Sequence, residues 1–286
     1  MRRALPIVLL VLLACGESGT PQAATTAPPE PSPEIIVITA STDLAVGQER
    51  LLLALAAPDG SRLGSPDLAT TVTLWPEEDP AAKVEVAGQW IWAVPDRSGL
   101  YRVPVEFDRA GIWVVQMTPA SGPQPGAVGV IVKQDPNTPS VGSQAPRSVT
   151  PTAADAAEIA VISTDTSPEP RMYEMSVADA VASGRPTVIA FATPKFCQTA
   201  ICGPTLDVVK ELMPDYPRAN FVHVEVYDLA ASPADAVSID QLVLAPSVIE
   251  WGLTSEPWVF VVDESGMVVG RFEGVVDAEE ITALLG

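Results

Sequence analysis

The chain has 286 residues, enough for about two domains of ordinary size. Acidic residues outnumber basic ones 36 to 16, and the resulting formal charge of −20 excludes nucleic acid or an anionic lipid surface as an electrostatic partner. One histidine and three cysteines exclude most zinc clusters and hydrolytic triads.

Residues 1–14 read as a targeting segment, with Arg2-Arg3 ahead of an apolar stretch shorter than the about 20 residues that a bilayer span needs. The run Leu12-Leu13-Ala14-Cys15 resembles the lipobox of bacterial lipoproteins. That resemblance implies lipidation of Cys15 and a position at the extracytoplasmic face of the cell membrane, anchored by lipid. An ordinary signal peptide containing a cysteine is the alternative. With Cys15 lipidated, Cys197 and Cys202 remain, an even number suited to one disulfide in an oxidising compartment. Residues 15–34, rich in Pro, Thr, Ala and Glu, read as a tether.

Residues 35–133 read as all-β. Candidate strands cover 35–40, 49–56, 70–75, 83–87, 100–107, 112–118 and 127–133, separated by turn chemistry such as Pro58-Asp59-Gly60 and Ala110-Gly111. Seven short strands in this length predict a β-sandwich of immunoglobulin-like architecture. Trp75, Trp90, Trp92 and Trp113 are expected in its core or in cross-strand pairs. Residues 134–157, rich in Pro, Ser, Thr and Ala, read as a linker.

In residues 158–286, Ser176 is expected to cap a short helix that Gly184 ends. The run 187–192 is a buried strand, followed by Cys197, Cys202, Gly203-Pro204 and a segment of helical period through Leu206, Val209 and Met213. A further strand covers 220–227, a hairpin covers 258–263 and 267–272, and Asp277 with Glu280 opens the last helix. Phe191, Phe196-Cys197 and Pro204-Thr205-Leu206 resemble the active-site segment of the thioredoxin superfamily, although four residues separate the cysteines where the family has two. Trp251-Gly252-Leu253 followed by Pro257 is similar to the run before that family's cis-proline. The resemblance implies an α/β thioredoxin-like fold over residues 158–286, and it assigns peptide binding to Glu256, Pro257 and Trp258.

Three functions compete. The first is a membrane-anchored thiol–disulfide oxidoreductase acting on extracytoplasmic protein thiols and disulfides, with Cys197 attacking, Cys202 resolving and no cofactor. The second is a redox-inert binding or structural module stapled by Cys197–Cys202. The third is a copper metallochaperone that uses Cys197, Cys202 and His223, although a satisfied core histidine is the commoner outcome for a mid-strand residue.

Overall fold

Alternation of apolar and polar side chains organises the first half of the chain. In the computed structural model, residues 35–286 are described, so Cys15, the targeting segment and the tether lie outside the described residues. Seven strands come first: β1 (Ile36–Thr39), β2 (Gly47–Ala56), β3 (Thr70–Pro76), β4 (Val84–Val94), β5 (Ser98–Phe107), β6 (Gly111–Pro119) and β7 (Val128–Val132). In β5, Tyr101, Val103, Val105 and Phe107 are buried while Pro104 and Glu106 face water. They meet Leu51, Leu53, Leu55, Val72, Leu74, Val115 and Met117 in one core. Trp113 is buried against Phe107, whereas Trp92 is 40% exposed.

Two expectations are overturned here. The seven strands do not divide into the facing sheets of a sandwich. They form one continuous sheet in the order β1-β2-β5-β4-β3-β6-β7. Strand β4 is the reason: residues 84–88 pair with β3 and residues 89–94 pair with β5, so one long strand belongs to both halves. A parallel bridge between Ala45 and Lys133 brings the β1–β2 connection against the end of β7 and almost closes the sheet on itself.

The second correction concerns residues 158–286. Over the described chain strand outweighs helix and the helices are short, so the α/β thioredoxin-like class does not stand. Helices α1 (Val177–Ala182), α3 (Pro246–Glu250) and α4 (Ala278–Thr282) have six, five and five residues, and only α2 (Cys202–Leu212), with eleven, runs longer. Gly184 (φ 70°) and Gly252 (φ 63°) lie just beyond α1 and α3, and Pro- and Ser-rich sequence fills the gaps with loops and 3-10 turns. Strands β8 (Thr187–Phe191), β9 (Asn220–Val224), β10 (Trp258–Val262) and β11 (Val268–Glu273) form a sheet ordered β11-β10-β8-β9, in which only β8 and β9 are parallel. Asp277 and Glu280 do form the expected capping box of α4. Among the described residues no helix is long and apolar enough to cross a membrane.

The two sheets share one seam, and the described residues form one compact unit. Leu52, on the outer face of β2, packs with Ile91, Ala93, Leu100 and Val275, with Ile201 against them. Beside this apolar patch lies a buried ionic cluster. The Asp43 carboxylate, with no exposure, accepts from Lys133 Nζ at 2.8 Å, Arg271 Nη2 at 2.9 Å and Thr138 Oγ1 at 2.8 Å. Arg271 also meets Glu49 at 2.8 Å, and Arg50 pairs with Glu280 at 2.6 Å. Burial alone would raise the Asp43 carboxyl pKa, but Lys133 and the donors of Asn137 and Thr138 hold it below the usual value.

Removing Arg271 takes a cation from two buried carboxylates, Asp43 and Glu49. Arg271→Ala should therefore lower the unfolding free energy by about 3 kcal/mol or more. Arg109→Ala, whose partner Asp108 is exposed, should leave it nearly unchanged. Urea denaturation compares the two, and equal small losses would show that the cluster contributes nothing.

Candidate functional site

Strand β8 is buried at all five positions, so its end is a rigid platform for the loop that follows. That loop carries Cys197, and α2 begins at Cys202. Five residues turn a helix by about 500°, so two sulfurs at this spacing cannot share a helix face. Placing Cys197 ahead of the helix resolves the problem, and the two cysteines form a disulfide with Cα atoms 6.0 Å apart. Ala200, at φ 59°, turns the chain inside this ring.

The two sulfurs have different surroundings. Cys202 is fully buried, while Cys197 is partly accessible between the exposed residues Lys195 and Gln198. The Cys202 N–H, at the start of α2, donates to Cys197 Sγ at 3.3 Å. A free amide at a helix N-terminus favours a thiolate at that sulfur. Phe196 lies under Lys195 Nζ at 4.9 Å and edge-on to Tyr227 at 6.5 Å.

Two carboxyl groups lie beneath the same loop. Thr193 Oγ1 donates to Glu225, which also accepts from Thr164 N at 2.7 Å. Glu256 lies near the Thr193 backbone, and its Oε2 is buried without a partner. Burial pushes Glu225 up to about 8, against the pull of the Thr164 donors, with the nearby Glu256 adding to the rise; burial pushes Glu256 up to about 7. Near neutral pH Glu225 mostly holds its proton and Glu256 is about half ionised.

Of the residues expected at the site, Glu256 and the two cysteines are brought to one region. The Glu256–Pro257 peptide bond is cis. Trp258 is 1% exposed and stacks on Phe260, with its Nε1 donating to Ser255 Oγ at 3.1 Å, so its side chain belongs to the core. His223 is fully enclosed. Its Nε2 faces the Ala192 carbonyl at 3.0 Å and must donate, which leaves Nδ1 to accept from Tyr173 OH at 2.7 Å. Both ring nitrogens are engaged, and burial lowers the pKa to about 4, so the ring is neutral. Among the described residues no three His, Cys, Asp or Glu side chains are arranged to hold a metal ion, the set Cys197, Cys202 and His223 included. Glu225 and Thr193 were not singled out from the sequence. The available signal was an acid and a histidine alternating inside the apolar run 221–226.

The buried pair of Glu225 and His223 makes stability depend on pH in a defined window. An acid with a raised folded pKa binds more protons when folded, so Glu225 lowers stability as pH rises from about 4.5 toward about 8. A histidine with a lowered folded pKa acts the opposite way, lowering stability as pH falls through 6.5 toward about 4. Above pH 6.5 the histidine contribution ends, and unfolding free energy should fall toward pH 8 by up to about 1.4 kcal/mol per pH unit. Glu225→Gln should flatten that slope in denaturant titrations. An unchanged slope would show that Glu225 is ionised throughout.

The chain matches no family model and no curated protein. A solved structure similar to part of it is the crystal structure of the Lin-41 filamin domain, at 12% identity and a TM-score of 0.24, covering 36% of this chain and 95% of that one. A likeness of that size carries no argument about fold or activity.

Proposed function

We propose that the protein exchanges thiols and disulfides with extracytoplasmic proteins through Cys197 and Cys202. The observation that carries this reading is the asymmetry of the pair: an accessible sulfur receiving an amide at a helix N-terminus, bonded to a buried one. In the oxidised protein a client thiolate attacks Cys197 Sγ, the sulfur within reach. The Cys197–Cys202 bond breaks and its electron pair leaves on Cys202. A second client thiolate then attacks the client sulfur of the mixed disulfide, releasing Cys197 as thiolate. The client gains a disulfide, and its two electrons stay on the cysteine pair. In the reverse direction Cys197 attacks a client disulfide and Cys202 resolves the mixed species.

Cys202→Ser should trap mixed disulfides with client proteins, visible as thiol-sensitive bands on non-reducing gels, because attack proceeds and resolution fails. Cys197→Ser should trap few. No trapping in either variant, with stability lowered by about 2–4 kcal/mol in both, would make the bond a structural staple.

We also propose lipid anchoring at Cys15, on the strength of the Leu12-Leu13-Ala14-Cys15 sequence. Cys15→Ser should move the protein from the membrane pellet to the soluble fraction. Retention in the pellet would remove the lipid from the account.

A further inference from the structure

A cleft of about 570 Å³ opens beside the disulfide loop. Its walls are Tyr227, Ile239, Leu244, Val248 and Leu253, and its rim carries Thr199 and Glu256. Thr199 Oγ1 lies 3.4 Å from Cys197 Sγ, so the cleft begins one side chain away from the accessible sulfur. Leu244 is 48% exposed although it is bridged to Tyr227, and Val243 beside it is 46% exposed. Large apolar side chains left open beside a reactive group mark a contact surface.

Charge says what kind of surface. From residue 219 to residue 270 the sequence contains no lysine and no arginine, while Asp228, Asp235, Asp240 and Glu250 punctuate the segment that builds the cleft. Asp240 is exposed and follows Ile239 of the cleft wall. The one histidine in that span is the buried neutral His223. Lys195, on the cysteine loop, sits over the Phe196 ring. A second copy of this chain would bring a charge of −20 toward an equally acidic chain, which disfavours self-association.

We propose that this cleft binds an extended, positively charged polypeptide segment with apolar side chains, and that it selects such segments for exchange at Cys197. Apolar side chains meet Leu244, Val248 and Leu253, and lysine or arginine side chains meet Asp240 beside Ile239 and the negative field of a chain of charge −20. The selection of clients rests on the exchange reading above; the binding itself does not.

The test uses the full chain and fluorescently labelled peptides of about a dozen residues. One mixes lysine and leucine around a central serine, and its partner replaces each lysine with glutamate. The lysine peptide should bind, as read by anisotropy, weaken with added salt, and lose about tenfold affinity or more in Leu244→Asp and in Asp240→Lys. The glutamate peptide should bind at least about tenfold more weakly than the lysine one. Both side chains are exposed, and near-ultraviolet circular dichroism checks that the variants stay folded. Equal affinity for the two peptides, or none for either, overturns the proposal, as does a dimer that Leu244→Asp dissolves. Versions carrying cysteine in place of serine separate the two readings. Binding of the serine peptide without exchange by the cysteine one sinks the exchange chemistry and leaves the cleft. Equal exchange with both charge types sinks the cleft and leaves the chemistry.

Discussion

The arrangement depends on a carboxylate with no access to water. Asp43 sits where the β1–β2 connection, the end of β7, the start of the following segment and β11 converge, and it accepts from all of the last three. A lone buried carboxylate would be costly, but here two cations, two backbone amides and a hydroxyl replace its hydration. The geometry specifies more than it stabilises. Arg271 reaches Asp43 and Glu49 together only when β11 lies across the β1–β2 connection in one register. Ion pairs with such partners fix how the two sheets meet, while the apolar patch around Leu52 supplies the area removed from water.

From that seam, order passes to the disulfide. Arg50 holds the turn after β11 through the carbonyls of Glu273 and Val275. Gly274, between them, donates to the Pro257 carbonyl at 2.8 Å and accepts from Thr205 of α2 at 3.3 Å. Its φ of 70° favours glycine at that place. Gly252 has a parallel role on the other side, where an added Cβ would lie 2.1 Å from the Asn137 carbonyl oxygen. The first sheet thus acts as a brace for the segments that flank the disulfide, and it contributes Ile91 and Ala93 to the surface that receives Ile201.

Local patterns in the sequence placed β8, the cysteine-bearing loop, α2, the hairpin of β10 and β11 and the capped α4 correctly, because each depends on neighbours within a few residues. The first sheet was harder to read. Strand β4 was expected to stop near residue 87. Instead Gly88 is the handover from β3 to β5, where an added Cβ would lie 3.3 Å from Tyr101. The class was misjudged for a related reason: it rested on the resemblance of two short segments, and the continuity of one sheet through β4 leaves no local trace. The seam did leave one. Leu51-Leu52-Leu53 breaks the alternation of a half-exposed strand, and a leucine on the outer face implies something covering it. The ionic partners, more than 200 residues apart, leave no pattern at all.

Charge around the cysteines follows from the same burial. In a protein of charge −20, a thiolate needs surroundings that do not add to the negative field. The Cys202 amide and Lys195 are the favourable groups near Cys197. Glu225 and Glu256 would oppose them if both were ionised beneath the loop. Burial limits that near neutral pH by raising both carboxyl pKa values, Glu225 to about 8 and Glu256 to about 7. Thr193 Oγ1 ties the loop to Glu225, and the start of α2 presents its amide to the accessible sulfur. As pH rises through 7 and 8 the carboxyls ionise and that advantage shrinks.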